Sequence, residues 1–194
     1  IFSDSSAPMG NNYAVGLRKT DGSPVVKLGD GTPSDLSADG KSVLAVVATT
    51  PPQVMIYPTG PGESRHLDRT GLENIESAQW FPNGDSVLIC GNEPGTAKRF
   101  YVQDLARGTP RGVTPLGTNS GKLSPDGKRV LAKGPDAKYS LFSLSGGEPR
   151  SVPWLSDFER LIRWNPDGRS VLVSSDASIP SRIERVDLET GRRT

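Results

Sequence analysis

The sequence predicts an all-β fold made of small repeated sheets, and three observations carry that prediction. The stretch "KLSPDGKRVLA" has relatives at "DLSADGKSVLA", "WFPNGDSVLI" and "WNPDGRSVLV", whose glycines Gly40, Gly84, Gly127 and Gly168 fall at steps of 44, 43 and 41 residues. A second marker keeps the same time: Gly22, Gly62, Gly108, Gly147 and Gly191, in "TDGSP", "PGES", "RGTP", "GGEP" and "TGRR", are separated by 40, 46, 39 and 44. The 22 glycines and 17 prolines, against 6% aromatics, then require frequent turns and short apolar runs.

Each unit reads in the same order. A short strand such as "SAQWF" enters an Asp-Gly or Asn-Gly turn, where glycine tolerates positive φ and the Asp or Asn side chain bonds the local backbone. Asp39 and Gly40, Asn83 and Gly84, Asp126 and Gly127, and Asp167 and Gly168 are assigned this structural task. The following strand is almost wholly apolar ("VLAVVA", "VLIC", "VLA", "VLVS"), as a strand covered on both faces requires. After a variable loop comes an alternating strand, "QVMIYP", "RFYVQDL", "YSLFSL" or "RIERVDL", and then the second glycine turn and a brief outer strand, "RHL", "GVT" or "RSVP". Four strands per period of about 40 to 45 residues define one blade of a β-propeller. "LSDFERLI" could form one helical turn, and no helical period appears elsewhere.

The period divides the chain into five blades, at 1–32 without its first strand, 33–74, 75–117, 118–157, and 158–194 with its last strand cut short. Only three are complete. An open ring leaves backbone groups unpaired at its ends, so the expectation is a partial propeller that continues in both directions in a larger ring.

Charge argues against two classes of partner. The 23 Lys and Arg and 22 Asp and Glu leave a net +1 with no dense block of one sign, which gives no electrostatic case for nucleic acid or an anionic membrane surface. No apolar run approaches the ~20 residues of a membrane-spanning helix. The single Cys90 excludes an intrachain disulfide framework and, within "SVLICG", reads as buried filler.

Candidate chemistry is sparse. His66 has no second histidine for a metal site and no "GxSxG" nucleophile elbow to serve, so no cofactor or metal is expected. "TGPGES" lacks the Gly-Lys-Ser/Thr ending of a phosphate loop. One Asp per unit cannot supply the six or more oxygens of a calcium site. Trp80 and Trp164 occupy the place that Leu36 and Leu123 fill in other units, which indicates packing. Trp154 differs, since it lies with Phe158 in the inter-blade loop "VPWLSDFER". The loops "ATTPPQ", "GNEPGTAK", "KGPDAK" and "SSDASIPS" vary while the strands repeat, which is how repeat proteins present a binding face. Trp154 and Phe158 in the inter-blade loop, with Asp157, Glu159, Arg160 and Arg163 at the mouth of the central channel, are therefore the candidate binding residues.

"LSPDGKRVLA" followed by "LFSLSGGEPR" resembles the TolB-type, WD-like propeller repeat over essentially the whole chain. The succession of units is also similar to propellers appended to acidobacterial-type serine/threonine protein kinases or winged-helix regulators. Ala38, Asn83 and Asp85 depart from the pattern without altering its turn chemistry, and no ATP loop, "HRD" or "DFG" is present. The resemblance implies a non-catalytic sensing or scaffolding module, periplasmic or otherwise extracytoplasmic, that holds a protein, peptide or cell-envelope ligand. Alternatively it implies the gating propeller of a prolyl-oligopeptidase-like serine hydrolase whose catalytic domain lies outside this chain.

Overall fold

The computed structural model describes residues 1–4, 13–67, 71–106, 108–175 and 181–194. No helix occurs among them, and the strands form five sheets. Sheet 1 joins β1 (Phe2–Asp4), β2 (Ala14–Leu17) and β3 (Val26–Asp30). Sheet 2 joins β4 (Thr32–Leu36), β5 (Ser42–Val47), β6 (Gln53–Pro58) and β7 (Arg65–Leu67). Sheet 3 holds β8 (Asn74–Trp80), β9 (Ser86–Asn92), β10 (Arg99–Asp104) and β11 (Arg111–Gly112). Sheet 4 holds β12 (Asn119–Leu123), β13 (Arg129–Lys133), β14 (Tyr139–Ser143) and β15 (Arg150–Ser151). Sheet 5 holds β16 (Glu159–Trp164), β17 (Ser170–Ser175) and β18 (Arg182–Asp187), with residues 192–194 returning along β18 through hydrogen bonds between Arg185 and Thr194. Neighbouring strands follow chain order within every sheet, as in a meander. The architecture is an all-β partial propeller.

The Asp-Gly turns show why the repeat is written as it is. Gly127 has φ 68° and donates its N–H to the Ser124 carbonyl at 2.9 Å, while Asp126 Oδ1 accepts from the Lys128 N–H at 3.0 Å and the Ser124 hydroxyl at 2.5 Å. Asp39 makes the same bonds to Lys41 and Ser37, and Asp167 bonds the N–H groups of Arg169 and Ser170. Asn83 makes a longer version at 3.3 Å to the Asp85 N–H. Each side chain thus closes a loop whose glycine alone can take the left-handed conformation without cost.

Two compact units carry the sheets: residues 1–97 with 101–111, and residues 98–100 with 112–194. In the first, β5 is the apolar strand that the sequence demands. Val43 and Ala45 pack with Val15 and Tyr57 on one face, while Leu44 joins Val54, Ile75, Ala78 and Trp80 on the other. Sheets 2 and 3 are also tied by polar bonds, since Ser34 Oγ and Asp35 Oδ2 accept the Ala78 and Trp80 N–H groups, each at 2.8 Å. In the second unit Leu131, Tyr139, Leu141, Trp164, Val171, Val173 and Val186 form the core between sheets 4 and 5. Cys90 is buried in β9 of sheet 3, in the first unit.

The strand adjoining each Asp-Gly turn carries an irregularity that the repeat pattern does not announce. Register shifts fall between Pro33 and Asp35, Ile75 and Ser77, Asn119 and Lys122, and Leu161 and Arg163. An extra residue bends the first strand of each of these four sheets and increases its twist. "LSDFERLI" makes one turn, closed by the Glu159 N–H on the Ser156 carbonyl at 3.2 Å, before β16 pairs with β17. Strands β4 and β8 begin at Thr32 and Asn74. Leu36 is 38% exposed, whereas Trp80 and Trp164 are buried, so the Leu and Trp positions are not equivalent in packing.

Candidate functional site

The six candidate residues all lie in the second unit, in the β15–β16 loop and along β16. Glu159 opens β16 and is only 5% exposed, although its neighbours in sequence are exposed. Its Oε1 receives Arg193 Nη1 at 2.6 Å, and its Oε2 receives Arg193 Nη2 at 3.1 Å and the Ser156 N–H at 2.8 Å. Burial pushes the Glu159 carboxyl up, but the guanidinium and the N–H outweigh it and hold the group below its usual range. The same bond to Glu159 raises Arg193 further into its charged form. Glu159 is thus buried at the start of β16, with three hydrogen bonds on its carboxylate.

Arg193 gathers the rest of the node. Its Nη1 also meets Glu184 Oε2 at 2.8 Å, and its Nη2 donates to the Trp154 carbonyl at 2.6 Å. The Trp154 ring lies against the Gly191 backbone, where a Cβ would sit 2.7 Å from a ring carbon. Gly191 is needed for this close approach as well as for its φ of 72°. Trp154 is therefore fixed at its base and 43% exposed at its outer edge.

The next residues of the loop are braced from sheet 4. Lys133 Nζ donates to the Asp157 carbonyl at 2.6 Å and stands 5.3 Å from the Tyr139 ring centroid, and the Tyr139 hydroxyl donates to the Glu159 carbonyl at 2.9 Å. The Asp157 carboxylate accepts only the Ser156 hydroxyl, at 3.2 Å, among the described residues. Phe158 is 73% exposed, the most exposed large apolar side chain described.

Strand alternation separates the remaining two. Leu161 and Trp164 turn toward the core, whereas Arg160 and Arg163 are exposed opposite Ser174 and Leu172 on the other face of sheet 5. The fold thus brings Trp154, Asp157 and Phe158 together in one loop, uses Glu159 to hold that loop, and sets Arg160 and Arg163 along the adjacent strand. Sequence reading missed Arg193, Glu184, Lys133 and Tyr139, which are far from the loop in the chain. The available signal was a carboxylate at the start of an inner strand where Asn74 and Asn119 stand in sheets 3 and 4, since a buried charge needs a counter-ion. Of the variable loops, residues 176–180 of "SSDASIPS" lie outside the described residues. His66 is exposed on β7, and among the described residues no group of three His, Cys, Asp or Glu could hold a metal ion.

No family model and no curated protein matches the chain. Solved structures do. TolB from Acinetobacter baumannii superposes with a TM-score of 0.78 at 19% identity, covering 96% of this chain and 49% of that one. A chain of the nidogen/laminin complex gives 0.70 at 11% identity over 94% of this chain and 70% of that one. A prolyl endopeptidase gives 0.65 at 16% identity over 99% and 32%. The fold is that of a TolB-type β-propeller, and the chain spans about half the length of the Acinetobacter TolB.

Proposed function

We propose that this chain is a non-catalytic binding module, whose partner is a protein, peptide or cell-envelope ligand docked on the loop between β15 and β16. The observation that carries this reading is the pairing of a braced Trp154 with a Phe158 that is 73% exposed. Interfaces favour an aromatic anchor held in one rotamer, because little side-chain entropy is lost when it is covered. Asp157, Arg160 and Arg163 supply a polar rim of both signs. The loop's own sequence, residues 152–158, contains no histidine.

Attachment to a signalling protein and an extracytoplasmic location rest on the resemblance of the repeats to kinase-linked propellers. The prolyl endopeptidase likeness gives the second reading, in which a propeller gates a separate hydrolase domain. A contiguous reading frame that encodes a "GxSxG" elbow would favour that reading over the first. The direct test is selection of a displayed peptide library on the intact chain. Enriched peptides should lose at least about tenfold in affinity with Phe158→Ser and with Trp154→Ala. Failure to enrich any peptide, or enrichment indifferent to both changes, counts against a binding loop here.

A further inference from the structure

The antiparallel order of sheets 4 and 5 puts their Asp-Gly turns and their second glycine turns at one end, opposite the β15–β16 loop. At that end lies an open cleft of about 420 Å³, between the turn at Pro125 and Asp126 and the turn at Pro166 to Gly168. Arg129, Arg150 and Arg169 line it, with Leu188 and Glu189 completing the wall. This is the size range of small-ligand and side-chain pockets, about 300 to 1,000 Å³.

The charges in the cleft do not simply cancel. Asp126 is engaged by its own turn and lies 3.7 Å from Arg129, whose guanidinium also bonds the Gly168 carbonyl at 3.3 Å and stands 5.8 Å from the Trp164 ring centroid. Asp167 is engaged by the Arg169 and Ser170 N–H groups and by Arg185 at 2.6 Å. With those pairs set aside, Arg150 and Arg169 have no ion-pair partner among the described residues, and the Glu189 carboxylate has no hydrogen-bond donor there. Two free guanidiniums, one free acceptor and apolar walls from Pro125, Pro166 and Leu188 are what the cleft presents.

We propose that this cleft binds a carboxylate-bearing peptide segment, with Arg150 and Arg169 on the carboxylate and Glu189 accepting a peptide N–H. Guanidinium and carboxylate match in planar, charge-assisted geometry. The segment also offers N–H donors to Glu189, which a phosphate dianion does not, and its aliphatic stem covers the proline and leucine walls. The cleft lies at the end of the sheets that carries the Asp-Gly turns, away from Asp157 and Phe158, although the Trp154 ring reaches back to Gly191.

The test uses the full chain and a fluorescein-labelled, C-terminally amidated hexapeptide with two adjacent glutamates, beside its glutamine counterpart. Anisotropy should show saturable binding of the glutamate peptide, weakened at least about tenfold in the glutamine peptide and in Arg150→Gln/Arg169→Gln. Amide shifts should appear at Gly127, Gly168 and Glu189. Both arginines are exposed, so an unchanged melting temperature shows that the double variant remains folded. The proposal is overturned by no saturable binding up to about 1 mM, by equal binding of the two peptides, by a double variant that binds undiminished, or by shifts confined to the β15–β16 loop. Inorganic phosphate displacing the probe more strongly than unlabelled glutamate peptide would assign the cleft to a phosphate ligand and also overturn it.

Discussion

Arg193 grips the buried Glu159 carboxylate with both terminal nitrogens, at 2.6 and 3.1 Å, across 34 residues of chain. The pair ties the last turn of the described chain to the first residue of β16 and thereby fixes the loop that carries Trp154. Arg193→Met leaves Glu159 buried without a counter-ion and should cost about 3 kcal/mol, as when one partner of a buried pair is removed. Glu159→Gln/Arg193→Met should recover part of that loss, because no uncompensated charge remains. Urea unfolding of the four proteins in a double-mutant cycle gives the coupling; additive single changes would show that the pair contributes nothing.

The same pair predicts a pH dependence. Glu159's folded value lies below its ordinary 4.5, so the unfolded chain binds its proton first as pH falls. Its stabilisation is fully present above pH 4.5 and is lost as pH falls through the lower folded value. Asp167, held to about 2 against 3.8 by the Arg169 N–H first and then by Ser170 and Arg185, acts in the same direction. Urea midpoints at pH 7, 4 and 3 should therefore converge between the native chain and Glu159→Gln. A gap that stays constant down to pH 3 would contradict the assignment.

Two glycines separate backbone strain from steric crowding. Gly127 has φ 68° with nothing within 4 Å of a would-be Cβ, so Gly127→Ala should cost about 1 kcal/mol from conformation alone. Gly127→Asn should cost less, since Asn tolerates the left-handed region. Gly191 has a similar φ of 72°, but the Trp154 ring occupies the space. Gly191→Ala should therefore destabilise more than Gly127→Ala and shift the Trp154 emission, whereas equal costs would mean the ring moves freely.

The turns were legible because everything that makes them lies within five residues: Ser124, Asp126 and Gly127 contact one another and the strand they start. The blades were legible for a related reason, since a strand as apolar as Val43 to Ala45 has to be covered on both faces. The register shifts were not legible. Ser34, Glu76 and Ile162 share no chemistry, so the bulge follows from the twist demanded of the first strand and not from the residue placed there. The pairing of Glu159 with Arg193 was not legible either, because Arg193 sits in "TGRRT", where local pattern gives no reason to pair it with β16.

Trp80 and Trp164 provide a controlled comparison of one hydrogen bond. They occupy matching places before their turns, and both are buried. Trp164 Nε1 donates to the Lys122 carbonyl at 3.0 Å, and the ring faces Arg129, whereas Trp80 Nε1 is buried without a hydrogen-bond partner among the described residues. Replacing either by Phe removes similar volume, but only Trp164→Phe leaves a carbonyl without its donor, while Trp80→Phe removes an unsatisfied N–H. Trp164→Phe should therefore be the more destabilising by about 1 to 2 kcal/mol, from the lost bond and the weaker cation–π contact. Thermal or urea unfolding of the two variants measures the difference. Equal losses would mean that burial of the ring, and not its N–H, is what these tryptophans contribute.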